Sequence, residues 1–417
     1  MKLTSMMRVW LTRSLKPFIF TNEYSKELEI EDIEQLGLYV HIPFCRRLCS
    51  FCPYCKVIYD ENQAKCYKAA LLKEIDIVGA TMSKPKQVTS LYFGGGTPAL
   101  MVDDLGEIIQ GIKKYFIISD GIGVELHPDD INPMTLKKLK DAGVTMISIG
   151  VQSFNENCLS AIGRKPTDYN YIFKTIQDAD FETIDIDLIF AIPSQTEKTL
   201  EEDIATAFSN GGTQISTYPF IDFTFANNTH KPLSEVKKKK MLRSITSYCE
   251  RNGYDRTSVW TFAKKNTGKY SSITRDNFIG FGVSATTLLK SQFKINTFSI
   301  EGYIKRVEEG KLPTSLTLDF SLRQRAVYYL FWSCYSMKID TEKFKKFFGV
   351  SLNKLFGLEI LICRILGFIK KQGKDIYVTN RGAYYYHYIE QAYTTAYIDK
   401  MWNVSRKIAF PEQIILK

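Results

Sequence analysis

Short apolar, β-branched runs alternate with amphipathic segments from residue 37 to about residue 225. Each run ends at a turn containing Gly or Pro, which predicts strands at 38–44, 88–93, 123–127, 145–151, 183–191 and 215–221. Apolar positions at helical spacing predict helices at 63–79, 102–115, 133–142, 169–179 and 199–208. This alternation indicates βα units around a parallel sheet, in an α/β fold. Six units are too few for a closed eight-fold barrel, so we expect an open or partial barrel with ligands at the carboxyl ends of its strands.

The rest of the chain follows a different pattern. Strand-like and helix-like stretches are mixed from about residue 227 to 290, and beyond residue 299 the pattern turns helical, mainly over 322–366. The segment GKDIYVTNRG that follows is typical of a β-wing, which predicts a winged-helix-like unit. A length of 417 residues exceeds one typical domain. We predict an amino-terminal segment (1–36), a partial barrel (37–225), a connecting region that flanks the barrel (226–298) and a helical carboxyl-terminal domain (299–417).

Charge and composition narrow the classes of partner. The formal net charge of +10 is spread along the chain, which slightly favours anionic substrates and does not indicate nucleic-acid binding. The densest basic run, 237–240, opens an amphipathic stretch, so we favour a solvated helix face over a phosphate-binding patch. No apolar run approaches the roughly 20 residues of a membrane span. The first residues are basic and amphipathic but lack a clear cleavage site, so we expect a cytoplasmic protein.

Four of the nine cysteines crowd into the segment HIPFCRRLCSFCPYC, directly after the first predicted strand. Cys45, Cys49 and Cys52 form a C-x-x-x-C-x-x-C pattern, and such clustering is typical of a metal site rather than of disulfides. Thiolates are the usual ligands of iron–sulfur clusters. Three thiolates on a four-iron cluster leave one iron open, and that iron can take the amino and carboxylate groups of S-adenosylmethionine. A zinc site is the alternative, although structural zinc usually takes four protein ligands.

Two neighbours of this motif allow more than one role. Cys55 has the spacing of a fourth ligand. A fourth thiolate would close the open iron, so we interpret Cys55 as a non-ligand that is either structural or near the substrate. His41 precedes the loop on the first strand, where it is a core histidine, a hydrogen-bonding neighbour of the ligands or a proton relay.

A second motif, LYFGGGTPAL, follows the second predicted strand. Gly94, Gly95 and Gly96 permit positive φ and a close backbone approach, which suits the methionine moiety of the same cofactor. Polar residues also follow the later strands, namely Glu125, Gln152, Arg164 and Asp187. A carboxylate such as Asp187 suits a ribose diol, and Arg164 suits a carboxylate. Each of these polar residues, taken alone, is also consistent with a surface or capping role.

The stretch YVHIPFCRRLCSFC, together with FGGGTP, SIGVQSF, IDLIFAIPSQT and GFGVSA, resembles the oxygen-independent coproporphyrinogen III oxidase family of radical S-adenosylmethionine enzymes. The resemblance covers about residues 38–285 in matching order. It implies a partial (βα)6 barrel, a four-iron four-sulfur cluster held by the three cysteines, and a helical carboxyl-terminal domain. It also assigns a contact with a second S-adenosylmethionine to Ile221. The contacts that it implies with the first S-adenosylmethionine are Tyr39, Phe51, Gly95, Gly96, Thr97, Glu125, Gln152, Arg164 and Asp187.

Three features depart from the family pattern. The oxidases that make protoporphyrinogen carry C-x-C at the end of the cysteine motif, whereas Pro53 and Tyr54 separate Cys52 from Cys55 here. Those oxidases also have a longer amino-terminal extension that closes over the substrate, and only about 36 residues precede the first strand here. The segment IFAIPSQT has Ala191 in place of the usual glycine. These departures leave the superfamily resemblance intact and put the oxidative decarboxylation itself in question.

The resemblance implies three alternative functions. The first is an oxidoreductase whose 5′-deoxyadenosyl radical abstracts hydrogen from a tetrapyrrole, with Arg46, Arg47 or Arg164 binding the propionates and reduced flavodoxin or ferredoxin as the electron donor. The second is radical methylation, including anaerobic heme opening, with a second S-adenosylmethionine as the methyl donor. The third is a heme chaperone that keeps the cluster and serves mainly as a binding module.

The carboxyl-terminal tail is unusually aromatic, with YYYHY at 384–388. Such side chains can stack on or ligate a porphyrin, since His is a common axial ligand. Consecutive residues of a helix point in different directions, so several of them must pack against protein. We favour ordinary packing for the tail and keep His387 as its best candidate for a heme contact.

Overall fold

The computed structural model describes residues 3–22, 28, 30, 33–226, 228–268 and 276–417. Residue 227, at which the mixed pattern is predicted to begin, lies outside these ranges. The α-helices are α1 (Leu3–Thr12), α2 (Glu61–Gly79), α3 (Val102–Lys113), α4 (Pro133–Asp141), α5 (Glu156–Ala161), α6 (Tyr169–Ala179), α7 (Glu197–Ser209), α8 (Glu235–Arg251), α9 (Ile300–Glu308), α10 (Leu322–Tyr335), α11 (Thr341–Phe348), α12 (Leu352–Ile365), α13 (Asn380–Tyr393) and α14 (Asp399–Ser405). Short 3₁₀ turns occupy Pro98–Met101 and Pro128–Asp130, and a π-helical turn occupies Thr394–Ile398.

The strands are β1 (Phe18–Thr21), β2 (Gly37–Ile42), β3 (Phe44–Cys45), β4 (Val57–Ile58), β5 (Lys86–Val88), β6 (Leu91–Gly95), β7 (Phe116–Ile118), β8 (Ile122–Leu126), β9 (Met146–Gln152), β10 (Thr183–Phe190), β11 (Gln214–Pro219), β12 (Asp255–Arg256), β13 (Thr261–Ala263), β14 (Phe278–Phe281), β15 (Thr286–Leu288), β16 (Gln292–Asn296), β17 (Thr314–Asp319), β18 (Lys338–Ile339), β19 (Ile369–Gln372), β20 (Asp375–Val378) and β21 (Gln413–Leu416). The predicted strand at 88–93 begins later than expected, because Val88 pairs with Ile118 in a separate small sheet.

Six parallel strands form the centre of the main sheet, in the order β2, β6, β8, β9, β10, β11. Helices between successive strands begin at side-chain caps, as at Asp60, Asn132 and Thr196, whose oxygens accept from backbone amides of the first turn. Because sequential strands are neighbours and parallel, all six carboxyl ends meet at one edge. The predicted α/β partial barrel is confirmed.

The main sheet continues past these six strands on both sides. β13 and β12 follow β11, and β14 pairs in parallel with β2 and leads into β15, β16 and β17. β1 then lies between β17 and β21, so the amino-terminal and carboxyl-terminal ends of the chain meet in one antiparallel edge. The sequence pattern did not predict this edge, because its strands are short and far apart along the chain. The boundaries between the four predicted segments stay a prediction.

The carboxyl-terminal region is helical as predicted, and the stretch over 322–366 forms the three helices α10, α11 and α12. Asp340 and Ser351 cap α11 and α12, and Gly349 ends α11 in a left-handed conformation. The predicted wing is present as a hairpin of β19 and β20, with β18 on its other side. None of the helices in the described ranges is long and apolar enough to cross a membrane.

The basic run at 237–240 lies on α8, and most of it faces solvent as expected. Lys238 is the exception, because it turns inward, where its ammonium donates to Gln391 at 2.6 Å and pairs with Glu235 at 2.9 Å. This run therefore ties α8 to α13. It does not form a continuous phosphate-binding patch.

Candidate functional site

The carboxyl ends of the six parallel strands open into a cavity of about 1050 Å³. Cys45, Cys49 and Cys52 line it together with nine of the ten cofactor contacts implied by the sequence. These nine are Phe51, Gly95, Gly96, Thr97, Glu125, Gln152, Arg164, Asp187 and Ile221. Residues spread over more than 170 positions of sequence thus meet at one site. The topology predicts this meeting, because parallel strands present their ends together.

The cysteine loop is held at both ends by backbone hydrogen bonds. Val57 donates to the carbonyl of Pro43 at 2.8 Å, and Tyr59 donates to that of Cys45 at 2.9 Å. The glycine loop, residues 94–97, pairs with the same segment. The backbone amide of Thr97 donates to the carbonyl of Phe44 at 2.7 Å. The two motifs therefore form one unit at the ends of β2 and β6.

The three thiols sit close enough to influence one another. The pKa of Cys45 is raised to about 11, mainly by burial; a hydrogen bond from Thr97 lowers it, and the neighbouring Cys52 and Cys49 raise it by smaller amounts. The Thr97 hydroxyl lies 3.9 Å from the Cys45 sulfur, and Arg164 donates to the Cys49 sulfur across 3.7 Å. One buried and two partly buried cysteines, with donors aimed at two of their sulfurs, form a donor set suited to thiolate ligation.

These thiols do not converge on a single point. Within the described ranges, no three side chains of His, Cys, Asp or Glu are grouped closely enough to hold one metal ion. Zinc needs four ligands around one centre, so the zinc alternative fits this loop poorly. A four-iron cluster presents separate iron corners and takes one thiolate at each. Three cysteines that line one cavity supply the kind of ligand that such a cluster takes.

The glycine loop is positioned by a buried carboxylate. Glu125, at the end of β8, accepts from the Tyr92 hydroxyl at 2.7 Å and from the Gly95 amide at 3.1 Å. Burial raises the pKa of Glu125 to about 7. A Cβ at Gly94 would lie 2.9 Å from this carboxylate, so close approach requires glycine there.

Two non-glycine residues at the strand ends adopt positive φ. Gln152 ends β9 with φ of 73°, and Ala191 follows β10 with φ of 66°. Such conformations cost about 1–3 kcal/mol and cluster at functional sites. The left-handed backbone at Ala191 explains why glycine is usual at this position of the motif. Nearby, Asp187 accepts from Ser148 at 2.9 Å, and burial together with Asp185 and Glu125 raises its pKa well above the usual range.

The three arginines predicted to bind anionic groups all line the cavity. Arg46 is paired with Asp130 at 2.7 Å. Arg164 donates to the carbonyl of Gly150 as well as to the Cys49 sulfur. Arg164 therefore lies at the cysteine loop, whereas Arg46 and Arg47 stand on the loop itself.

Tyr39 is the one implied cofactor contact that does not line the cavity. Its hydroxyl donates to Nδ1 of His41 at 3.0 Å, and Nε2 of His41 donates to the carbonyl of Cys55 at 2.8 Å. Burial lowers the pKa of His41 to about 4, so this histidine is neutral. Cys55 is buried away from the cavity, with its thiol 3.5 Å from the Phe298 carbonyl. These contacts favour the core role for His41 and the structural, non-ligand role for Cys55.

The aromatic tail packs mostly against protein, as favoured from the sequence. His387 is fully buried and does not line the cavity. Its Nδ1 accepts from the Trp260 indole at 3.1 Å, and its Nε2 lies 2.9 Å from the Gln391 amide nitrogen. With both ring nitrogens occupied, His387 has no lone pair to offer a heme iron. The heme contact considered for His387 is therefore wrong.

Part of the cavity lining, the terminal wall, comes from the two ends of the chain, to which the sequence pattern gave no role. α1 contributes Arg8, and the segment from α13 to α14 contributes Glu390, Tyr397 and Trp402. The only signals in the sequence were the amphipathic first residues and the aromatic tail. The amino-terminal helix α1 thus reaches the cavity.

Arg406 ties the carboxyl-terminal segment to the cysteine loop. Its Nη2 donates to the carbonyl of Pro53, between Cys52 and Cys55. Its guanidinium lies over Phe225 at 4.5 Å and over Phe298 at 5.5 Å. This contact joins residues 353 positions apart, so it fixes the cysteine loop against the carboxyl-terminal segment.

Comparison with known proteins places these observations in context. The family model for the radical SAM superfamily matches residues 39–207. The chain is 28% identical to the heme chaperone HemW of Bacillus subtilis over 362 residues, covering 82% of this chain and 95% of that protein. It is 26% identical to the oxygen-independent coproporphyrinogen III oxidase of Pseudomonas aeruginosa over 387 residues, covering 83% of each. The solved structure of coproporphyrinogen III oxidase (HemN) from Escherichia coli shares its fold, with a TM-score of 0.76, 21% identity and coverage of 93% of this chain and 98% of that one.

Proposed function

Because the chain carries a radical S-adenosylmethionine domain over residues 39–207, we propose that it is an oxidoreductase that generates a 5′-deoxyadenosyl radical and acts on a tetrapyrrole. The observation that carries this proposal is one cavity lined by the cysteine loop, the glycine loop and the terminal wall. The cysteine and glycine loops suit the cofactors. The volume of about 1050 Å³ leaves room for a large substrate beside them.

The cofactors of this superfamily are a four-iron four-sulfur cluster and S-adenosylmethionine. When bound, the cluster supplies the electron that cleaves the sulfonium. We propose Cys45, Cys49 and Cys52 as its ligands, with Thr97 and Arg164 donating to the sulfurs. Such donors favour the charged thiolate over the buried thiol. Reduced flavodoxin or ferredoxin is the proposed electron donor.

Acceptors and donors at the strand ends are arranged for the parts of S-adenosylmethionine. The backbone of Gly95 and Gly96 approaches the methionine moiety, and Asp187 offers a carboxylate to the ribose diol. Gln152 and Phe51 lie at the same end of the cavity. Burial keeps water away from these groups, which strengthens each polar contact with the cofactor. Ile221 is the proposed contact for a second molecule, which radical methylation or heme opening would require.

The tetrapyrrole assignment draws on two supports. Relatives that align over more than four-fifths of this chain are named for heme or for coproporphyrinogen. The terminal wall is rich in aromatic side chains, which suit a flat apolar ring. A heme chaperone is the second candidate, and the similarity to HemW favours it. Two residues, Pro53 and Tyr54, separate Cys52 from Cys55, whereas the oxidases have one residue at this place, which favours the chaperone as well.

Anaerobic reconstitution distinguishes these functions. The cluster-loaded protein is reduced with dithionite and given S-adenosylmethionine, with coproporphyrinogen III or heme in separate reactions, and products are identified by mass spectrometry. We expect 5′-deoxyadenosine and a coproporphyrinogen product that has lost two carboxyl groups. A methylated, linearised product from heme would support heme opening instead. Heme bound without turnover would favour the chaperone, and no deoxyadenosine in any reaction would contradict the radical assignment.

Replacing Asp187 by Asn is expected to weaken S-adenosylmethionine binding about tenfold or more. The amide replaces one acceptor oxygen by an NH2 group, and leaving a buried hydrogen-bonding group of the cofactor unsatisfied costs about 1–3 kcal/mol. Equilibrium binding to the cluster-loaded protein measures the change. Asp178→Asn, on the exposed face of α6, is the matched control and should leave affinity unchanged. Equal affinity in both variants would exclude Asp187 from the contact.

A further inference from the structure

Tyr54 is the most exposed of the aromatic residues that line the cavity. It is 49% exposed, and Tyr59, the next in order, is 37% exposed. The other aromatic residues of the lining are buried or half-buried. Ligand cavities are lined mainly by apolar and aromatic side chains, and an aromatic residue this open offers its ring to a ligand.

Tyr54 also lies beside the proposed cluster ligands. It follows Cys52 by two residues, which span at most about 7 Å of extended chain. Counted from Cys52, it stands where the C-x-C pattern of the resembling oxidases has its second cysteine. The thiol of Cys55 lies outside the cavity, 3.5 Å from the Phe298 carbonyl. At this point the cysteine loop therefore presents a tyrosine to the cavity.

Two contacts hold Tyr54 in place. Arg406 donates through Nη2 to the carbonyl of Pro53, the residue before Tyr54. The ring of Tyr54 lies against Trp402 of α14, with ring centroids 6.3 Å apart and planes tilted by 50°. A side chain that is already held in position loses less entropy when a ligand binds to it.

Trp402 is fixed in turn by other rings. It stacks on Phe223 with ring centroids 6.2 Å apart and planes 17° apart. The rings of Phe225 and Phe298 lie 6.4 Å and 6.2 Å from it. Trp402 and Phe223 both line the cavity. Tyr54 and Trp402 thus form an aromatic surface that runs from the cysteine loop to the terminal wall.

We propose that Tyr54 stacks on a ring of the tetrapyrrole and, with Trp402 beside it, positions the substrate next to the cysteine loop. This inference rests on the proposed function and adds a residue that positions the substrate. Pyrrole rings are flat and apolar, and aromatic pairs make stacked or edge-on contacts at centroid separations of about 4.5–7 Å. A ring held on Tyr54 lies close to the proposed cofactors, as hydrogen abstraction requires.

Replacing Tyr54 by Phe or by Leu separates stacking from simple apolar contact. Both variants keep an apolar side chain, but only Phe keeps a flat ring. We expect Tyr54→Leu to weaken the binding of coproporphyrin III and of heme about fivefold, and Tyr54→Phe to stay within about twofold of the unaltered protein. Fluorescence titration for coproporphyrin III and absorbance titration for heme, both with the cluster-loaded protein, measure the affinities.

Tyr171→Leu is the matched control. Tyr171 lies on α6, is 52% exposed and does not line the cavity, so this variant should bind both porphyrins normally. Iron content and S-adenosylmethionine affinity are measured in every variant. We expect both quantities to be unchanged in Tyr54→Leu. Loss of either would show that Tyr54 supports the cysteine loop and would overturn the stacking contact.

Failure of this inference differs from failure of the proposed function. If the unaltered protein binds neither porphyrin while it still cleaves S-adenosylmethionine, the tetrapyrrole proposal is wrong and the stacking contact is wrong with it. If the unaltered protein binds either porphyrin and Tyr54→Leu binds it equally well, the stacking contact is wrong and the proposed function stands. Equal weakening in Tyr54→Phe and Tyr54→Leu would overturn it as well, because the flat ring would not be the group that binds.

Discussion

Replacing any one of Cys45, Cys49 or Cys52 by Ala is expected to abolish cluster binding and the formation of 5′-deoxyadenosine. Each thiolate would hold a separate iron corner, so no other ligand in the loop can substitute for it. Burial raises the pKa of Cys45 to about 11, so this thiol needs a bound metal to ionise at neutral pH. Iron content and visible absorbance after anaerobic reconstitution measure the loss, and deoxyadenosine is quantified in parallel.

Cys55→Ala is the matched control for these variants. Cys55 lies three residues beyond the motif and is buried against the Phe298 carbonyl, outside the cavity. We expect full iron content and normal deoxyadenosine formation, with a loss of about 1 kcal/mol in the free energy of unfolding. Loss of iron in Cys55→Ala would mean that the cluster has a fourth cysteine ligand. Full iron in all three motif variants would refute the cluster assignment.

Gly95→Ala is expected to abolish measurable S-adenosylmethionine binding while iron is still incorporated. Gly95 has φ of 115°, which a residue with a Cβ adopts at a cost of about 1–3 kcal/mol. The added Cβ would also lie 2.6 Å from the His41 ring, which two hydrogen bonds hold in the core. The glycine loop must therefore move, and a displacement of about 1 Å at a positioned site can cost about 100-fold.

Gly106→Ala provides the control for this substitution. Gly106 lies in α3 with open space around the position of a Cβ. Alanine is favoured over glycine within a helix by about 0.5–1 kcal/mol, so this variant should be slightly more stable and bind S-adenosylmethionine normally. Equilibrium binding and thermal denaturation of the two variants compare them directly. Normal cofactor binding by Gly95→Ala would show that the glycine loop is not part of the site.

Local sequence patterns determined the central βα units and the cysteine loop. The helix that begins at Pro133, after its cap Asn132, and the strand that ends at Gln152 lie where periodicity predicts them. Three cysteines within eight positions must share one loop, because the chain between them is short. Motifs at the ends of parallel strands then share one edge of the sheet. These are consequences of short-range spacing and of one topological rule.

Only the tertiary structure decided which distant residues complete the cavity. Arg8, Tyr397 and Arg406 come from the two ends of the chain, which meet because β1 pairs with both β17 and β21. Sequence periodicity indicates which face of a helix is apolar, but it does not indicate the partner of that face. His387 looked like a heme ligand by residue type alone, and its bond with Trp260 across 127 positions removed that role. Long-range packing is chosen by the fit of whole surfaces, so a local pattern cannot specify it.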